Sequence, residues 1–331
     1  MRRLTLILSD LYLPEEAQRG SEIPAARDLP NLEWLLRYAD AAQHTGDWRR
    51  WLVEKTVPGL RNLPVASISA HQSIAGRDLD STWLATPVAL EARLDHVRLV
   101  DRGLLRLESS ERESCRDEFS RVFGPQYLLH DGGERAFFLT GLPATGAPAV
   151  DPARVLGAEI GPALPGRDAG ELRRLWAEIE MWLQSARFNE VRARVGKRRV
   201  SALWLWGAGA TSTAHQRADD RASAVYFGGD PMILALGRID GGRARAPPEQ
   251  WAHLDAAAPH VVVEFAALTG EPRESLEALD ATWFASVKSA LASGSIREFD
   301  LVANDRRFRI GARPQWKFWH RRQHWLARLA S

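Results

Sequence analysis

Short apolar runs at residues 4–9, 200–207, 260–265 and 299–305 restrict this chain more than any other feature. Each has the length of a buried strand, and helical stretches lie between them. Runs of that kind belong to strands covered on both faces, and strands alternating with helices predict an α/β protein with a largely parallel sheet. With 331 residues, 45% of them hydrophobic, the chain is long enough for two domains, or for one domain carrying an insertion.

The opening Met1-Arg2-Arg3 precedes an apolar run that ends at Ser9 and Asp10. That run is too short for a signal peptide and reads as the first strand. No stretch approaches the roughly 18 apolar residues of a membrane span, so the expectation is a cytoplasmic protein without a membrane partner. A single cysteine, Cys115, excludes an intramolecular disulfide. Charge is uneven: residues 306–331 carry eight basic and no acidic side chains, against a total of +2. A basic C-terminus therefore follows a mildly acidic body.

Helical spacing of Leu32, Leu35, Leu36 and Ala39 predicts a helix over 32–42, entered through Pro30 and Asn31. The alternation in residues 86–107 suits half-buried strands of a separate α+β insert. One apolar stripe, from Leu172 through Leu175, Trp176, Ile179 and Leu183 to Ala186, predicts a helix over 169–195. Asp168 and Glu171 are spaced as its capping box, and Gly196 can end it. Further strands are expected at 223–227 and 232–236, and a helix at 274–292 closed by Gly294.

Asp10 and Asp305 each follow an apolar run, at the sheet edge where α/β folds place ligands. Two such carboxylates could hold a divalent metal, or could cap turns after strands. Gly207-Ala208-Gly209-Ala210-Thr211 follows a strand and could offer N–H groups to an anion, or could be a tight turn. The segment containing Arg313, Trp316, Lys317, Trp319, Arg321 and Arg322 interleaves cations with rings. That pattern suits a partner or nucleic-acid surface, or a terminal helix docked by Trp316, Trp319 and Leu326. Nucleic acid is the less favoured partner. His320 and His324 lack the glutamate of a zinc-protease motif, and Cys115 has no partner that would make it a nucleophile.

Residues 86–237 resemble the archaeal-type, cofactor-independent phosphoglycerate mutases of the alkaline phosphatase superfamily. The resemblance rests on Leu-Asp-His-Val-Arg-Leu at 94–99, on the tract Phe188-Asn189-Glu190-Val191-Arg192, and on Val200-Ser-Ala-Leu-Trp-Leu-Trp-Gly-Ala-Gly209. The whole chain, tryptophan-rich with 13 Trp against 4 Tyr, is similar to the bacterial group of RpfE-type regulatory, or phosphoglycerate mutase-like, proteins. The resemblance implies an alkaline phosphatase-like, mostly parallel sheet with helices on both faces, built from residues 1–85 and 196–331. It also implies an inserted α+β domain, 86–195, ending in a long connecting helix.

Such mutases use two metal ions and a transiently phosphorylated serine. Carried over, Asp10 matches the first metal-binding aspartate and Asp305 the aspartate of a terminal Asp-His pair, whose histidine is Arg306 here. The nucleophile position falls on Asn62-Leu63-Pro64. Ser67, Ser69 and Ser73 are the nearby hydroxyls. The Asp-x-x-Gly-His metal segment reads Ala266-Ala-Leu-Thr-Gly-Glu271. Losing nucleophile and ligands removes the covalent step and the cation charge. The expectation is a catalytically degenerate protein with a regulatory or ligand-binding role and no required cofactor. Its expected partner is a small anionic ligand held by Gly207, Gly209, Thr211 and Arg306, or another protein. The alternatives are an active mutase or phosphatase using Mn²⁺ or Mg²⁺, and a nucleic-acid-associated regulator.

Overall fold

The structure is a computed structural model. It describes residues 2–13, 28–60, 64–71, 73–74, 81–144, 150–164, 166, 169–209, 224–242, 244–254, 258–313 and 323–330. In chain order the strands are β1 (Arg2–Leu8), β2 (Gln43–His44), β3 (Trp83–Ala92), β4 (Val97–Leu104), β5 (Leu128–Asp131), β6 (Phe137–Thr140), β7 (Ala202–Trp206), β8 (Ala224–Phe227), β9 (His260–Phe265), β10 (Ile296–Ala303) and β11 (Arg306–Gly311). The helices are α1 (Pro30–Tyr38), α2 (Trp48–Thr56), α3 (Val65–Ala70), α4 (Ser109–Phe123), α5 (Gly170–Ser185), α6 (Arg187–Arg194), α7 (Pro231–Ile239), α8 (Leu276–Leu279), α9 (Ala285–Ser293) and α10 (Trp325–Ala330). A π-helical segment, Asp280–Phe284, joins α8 to α9. The chain forms two compact units. One comprises Met1–Pro58, Ala218–Gly228 and Asp240–Ser331, the other Gly59–Arg217 and Gly229–Ile239.

The first unit holds a six-stranded sheet in the order β2-β11-β10-β1-β9-β8. The pairs β10–β1, β1–β9 and β9–β8 are parallel, and β11 and β2 extend the edge antiparallel. Side chains alternate across a strand. Leu4, Leu6, Val261, Val263, Phe299 and Leu301 accordingly pack with Leu32, Leu35 and Leu36 of α1 and Val287 and Leu291 of α9. The other face buries Thr5, Ile7, Val262 and Val302. There α2 meets the sheet, with Thr56 hydrogen-bonded to Tyr226 and the Arg307 guanidinium 5.6 Å from the Trp51 ring. The mixed α/β class, with a largely parallel sheet and helices on both faces, is the architecture observed.

Helix α1 begins at Leu29-Pro30, neither of which can cap it, so its first N–H groups need an outside acceptor. Asp280 of the π-helical segment supplies one, accepting from Asn31 N at 3.1 Å and Leu32 N at 2.7 Å. Residues 232–236, expected as a strand, lie instead within α7. Asp230 caps that helix by accepting from Met232 N at 2.8 Å, and an all-apolar stretch of this length has no period to tell strand from helix. The run at 299–305 is followed by a further strand, β11, which pairs back on β10 in a hairpin.

The second unit holds an antiparallel sheet, β4-β3-β6-β5, with β7 also paired to β3. Residues 59–85 and 196–217, assigned from the sequence to the parallel-sheet domain, belong here, with Leu84 opposite Trp206 and Val88 opposite Ala202. Strand pairing across more than a hundred residues leaves no local mark in a sequence. Leu172, Leu175, Ile179 and Leu183 of α5 pack with Cys115 and Phe119 of α4 and with Leu203 and Leu205 of β7.

The single helix expected over 169–195 is two helices that meet at Ala186, whose ψ of 129° is extended. Glu118 caps the second one, accepting from Arg187 N and Phe188 N at 2.8 and 2.9 Å. Gly196, at a φ of +75°, ends it as expected. Asp168 of the anticipated capping box lies outside the described residues, while Glu171 accepts a hydrogen bond from the Tyr127 hydroxyl. Among the described residues no helix is long and apolar enough to cross a membrane.

Candidate functional site

The C-terminal edge of the parallel strands lies in the first unit and carries Ser9, Asp10, Glu264 and Asn304, all buried. Asp10 follows β1 and is 2% exposed. Its carboxylate accepts from Leu268 N at 3.1 Å, Thr269 N at 2.8 Å and Thr269 Oγ1 at 2.7 Å. These donors come from the turn after β9, where the family resemblance places Asp-x-x-Gly-His. In this chain that turn presents N–H groups to Asp10 rather than further carboxylates or imidazoles.

Beside it the Ser9 hydroxyl donates to Glu264, near the end of β9. Gly228, ending β8 at a φ of +143°, makes room for that carboxylate. A Cβ there would lie 2.6 Å from Glu264 Oε2. A hydroxyl beside a carboxylate is the raw material of a nucleophile and its base. Here both are buried, at 4% and 2% exposure, and Ser9 Oγ is also 3.3 Å from the Phe265 carbonyl. The pair acts as an internal tie between β1 and β9.

Asn304 and Asp305 form the two-residue turn between β10 and β11, with φ of +50° and +56°. Positive φ at both central positions is what a type I′ hairpin needs, and Asn and Asp tolerate it best after glycine. Asn304 is the residue that reaches the loop after β1. Its Oδ1 accepts from Leu13 N at 3.0 Å, its own N–H donates to the Leu11 carbonyl, and its Nδ2 donates to the Leu329 carbonyl. The Asp305 carbonyl accepts from Thr45 N at 2.7 Å. Arg306 opens β11 opposite His44.

A denser charge cluster lies on the same strands. Asp300 is fully buried and accepts from Arg3 Nη2 and Arg307 Nε, both at 2.8 Å, with Arg309 Nε at 3.3 Å. Glu298 pairs with Arg3 at 3.1 Å and Arg309 at 3.0 Å. Charge-assisted bonds of this kind hold β1, β10 and β11 in register. Next to them His260 meets the Thr5 hydroxyl at 3.1 Å. Burial, reinforced by the nearby Arg3 charge, lowers its pKa to about 4, so it stays neutral.

The glycine loop after β7 belongs to the second unit. Gly207 has a φ of +75°, which turns its carbonyl onto the start of α3, where it accepts from Ala66 N at 3.0 Å. Gly209 packs against Pro64, the residue preceding α3. Thr211 of the same loop lies outside the described residues, as do Asn62 and Leu63 of the nucleophile position. Of the hydroxyls nearby, Ser67 and Ser69 are buried within α3, and Ser73 accepts from Arg238 at 2.7 Å. In the Asn-x-x-Arg tract, Asn189 clamps Val200 through N–H and carbonyl, at 2.8 Å each, and Arg192 pairs with Glu111 at 2.7 Å. Both side chains are structural. Burial pushes the Cys115 thiol up, away from thiolate formation.

Part of the basic C-terminus is strand rather than tail. Arg307 and Arg309 lie in β11 with carboxylate partners, and Arg328 donates to the Asp40 carbonyl at 3.2 Å. Arg313 has a φ of +54° and its N–H donates to the Leu291 carbonyl. Leu326 packs into the first unit's core. Trp316, Lys317, Trp319, His320, Arg321 and Arg322 lie outside the described residues.

A divalent cation needs several oxygen or nitrogen ligands presenting lone pairs at about 2.0–2.6 Å. Asp10 faces N–H and O–H donors instead, and among the described residues no group of three His, Cys, Asp or Glu side chains converges. As arranged, this donor set does not fit a metal. Glu264 and Asp300 do carry a mark in the sequence, since a carboxylate inside an otherwise apolar strand run is rarely buried without a partner. Thr269 and Asp280 have no such mark.

No protein-family model matches the chain, and no curated protein matches it. Solved structures similar to it include the PH0037 protein from Pyrococcus horikoshii, at 12% identity and a TM-score of 0.46, covering 94% of this chain and 87% of that one. They also include the cofactor-independent phosphoglycerate mutase from Thermoplasma acidophilum, at 16% identity and a TM-score of 0.41, covering 99% of this chain and 94% of that one. Likenesses this distant carry no statement about activity.

Proposed function

We propose that this chain is a catalytically degenerate phosphoglycerate mutase-like protein of the RpfE-type regulatory group, cytoplasmic, with the fold retained for a regulatory or ligand-binding role. The observation that supports this reading most is the state of Asp10. The carboxylate that the resemblance aligns with a metal ligand is filled by Leu268 N, Thr269 N and Thr269 Oγ1. A carboxylate holding these donors is stabilised as an internal acceptor, and a cation at Oδ2 would compete with all three. Electrostatic help for phosphoryl transfer would then lack its source.

The ligand class in this reading is a small anion. Among its candidate binders Arg306 belongs to the first unit and Gly207 and Gly209 to the second. The decisive experiment is a coupled phosphoglycerate mutase assay on the full chain, stripped by chelator and then refilled with Mn²⁺, beside Asp10→Ala. The expected result is no turnover in any arm. Metal-dependent turnover by the unsubstituted protein overturns the reading, and its loss in Asp10→Ala would assign the metal to that carboxylate.

A further inference from the structure

Helix α5 of the second unit carries Arg173, Trp176, Ala177 and Glu180 at positions i, i+3, i+4 and i+7, which is one face of a helix. Ile160 and Leu164, flanking the 3₁₀ turn Gly161–Ala163, stand opposite, and together the six residues line a recess of about 170 Å³. The volume arises at Ala177, whose methyl leaves the middle of the face empty. It is comparable to the ~150 Å³ cavity that holds a benzene ring. The recess therefore has room for a ligand of fewer than about ten heavy atoms.

Its two ends are oppositely charged, and among the described residues they form no ion pair with each other. Seven residues of helix separate the Arg173 and Glu180 backbones by about 10.5 Å. The neighbouring pair Arg174 and Glu178, at i and i+4, does close, at 2.8 Å. Glu180 accepts one hydrogen bond, from Trp176 Nε1 at 2.7 Å, and among the described residues no cation pairs with it. That indole is itself fixed, edge-on to Trp204 with ring centroids 5.0 Å apart. Burial raises the Glu180 carboxyl above its ordinary value, the mark of a carboxylate that has lost water without gaining a counter-charge.

We propose that this recess binds a small zwitterion, with an ammonium group at Glu180, a carboxylate at Arg173 and an apolar spacer of several methylenes over Trp176 and Ala177. The ammonium supplies the charge that Glu180 lacks, and the spacer covers the apolar floor. The fixed indole keeps the carboxylate oriented, so little ordering is needed on binding. This site goes beyond the proposed function and does not depend on it.

Isothermal titration of the full chain with 6-aminohexanoate, hexylamine and hexanoate tests it. One-site binding of 6-aminohexanoate on the order of 1 mM is expected, with hexylamine weaker and hexanoate weakest. Glu180→Gln is expected to weaken it about tenfold, the value of a hydrogen bond to a charged partner. Ala177→Leu, which fills the recess from an exposed position of a helix, is expected to abolish it. Thermal melting checks that both variants fold. Absence of saturable binding up to about 50 mM, roughly fifty times the expected Kd, overturns the proposal. Binding that neither variant alters also overturns it, and 6-aminohexanoate no tighter than hexylamine removes the zwitterion class.

Discussion

In the first unit the Asp10 carboxylate accepts three donors from the turn after β9, whereas in the second unit Glu180 accepts a single indole N–H at the wall of a recess. Asp300 is the extreme of the first condition, holding three guanidinium groups at full burial. A carboxylate in a recess thus has two fates. Where the chain supplies several donors, the group is part of the fold and has less left for a ligand. Where the chain withholds the counter-charge, the group keeps an unmet electrostatic demand that a ligand can meet.

The largest expected effect comes from breaking the saturated side at Asp300. Asp300→Ala takes the carboxylate from buried Arg307, while Arg3 and Arg309 keep Glu298, and denaturant unfolding should show a loss of about 3 kcal/mol. A loss below about 1 kcal/mol would mean that water replaces the carboxylate and that the cluster is not structural.

His260 reports on the same network through pH. Burial, then Arg3, lowers its folded pKa to about 4, below the unfolded value near 6.5. Its contribution is complete above pH 6.5 and is lost as pH falls toward 4, because only the unfolded chain takes up the proton in that window. Unfolding free energies at pH 7 and pH 4.5 should differ by about 2 kcal/mol more for the unsubstituted protein than for His260→Gln. Equal pH slopes would contradict a half-buried neutral imidazole.

Asp10→Ala leaves two backbone N–H groups and a hydroxyl without their acceptor, and a loss of about 2 kcal/mol is expected, with Asp10→Asn about half as costly. A gain in stability would reverse the contrast, since relief on removal is how a carboxylate held in reserve for a ligand behaves.

Glu180→Gln should have the smallest effect and the opposite sign. Burial raises the folded carboxyl above its unfolded value, so its contribution is present at low pH and is lost as pH rises through the raised value. At pH 7 the amide should leave the melting midpoint unchanged or slightly higher, within about 0.5 kcal/mol. A clear loss would show that Glu180 has a cationic partner in the fold.

Much of the fold was legible from particular residues. Leu4, Leu6, Val261, Val263, Phe299 and Leu301 lie in runs whose strand length and flanking turns favour strands of a covered sheet, and Gly196 and Gly294 end their helices as placed. Residues 232–236 misled because an apolar stretch without a period carries no signal of its own. The candidate site was legible only in outline. Asp10 does follow the first strand at the expected edge, yet its partner Thr269 is 259 residues away and has no distinguishing pattern around it.

Amino-acid order alone determined the period and length of each apolar run, hence the strands, most helices and the largely parallel sheet, because those depend on neighbours within a few residues. Only tertiary structure decided that β7 joins β3, that Arg307 and Arg309 lie inside the sheet, and that Asp10 is enclosed while Glu180 is not. The reason is physical: hydrogen bonds and ion pairs are set by distances in space, and residues far apart in sequence meet only after the chain has closed the loops between them.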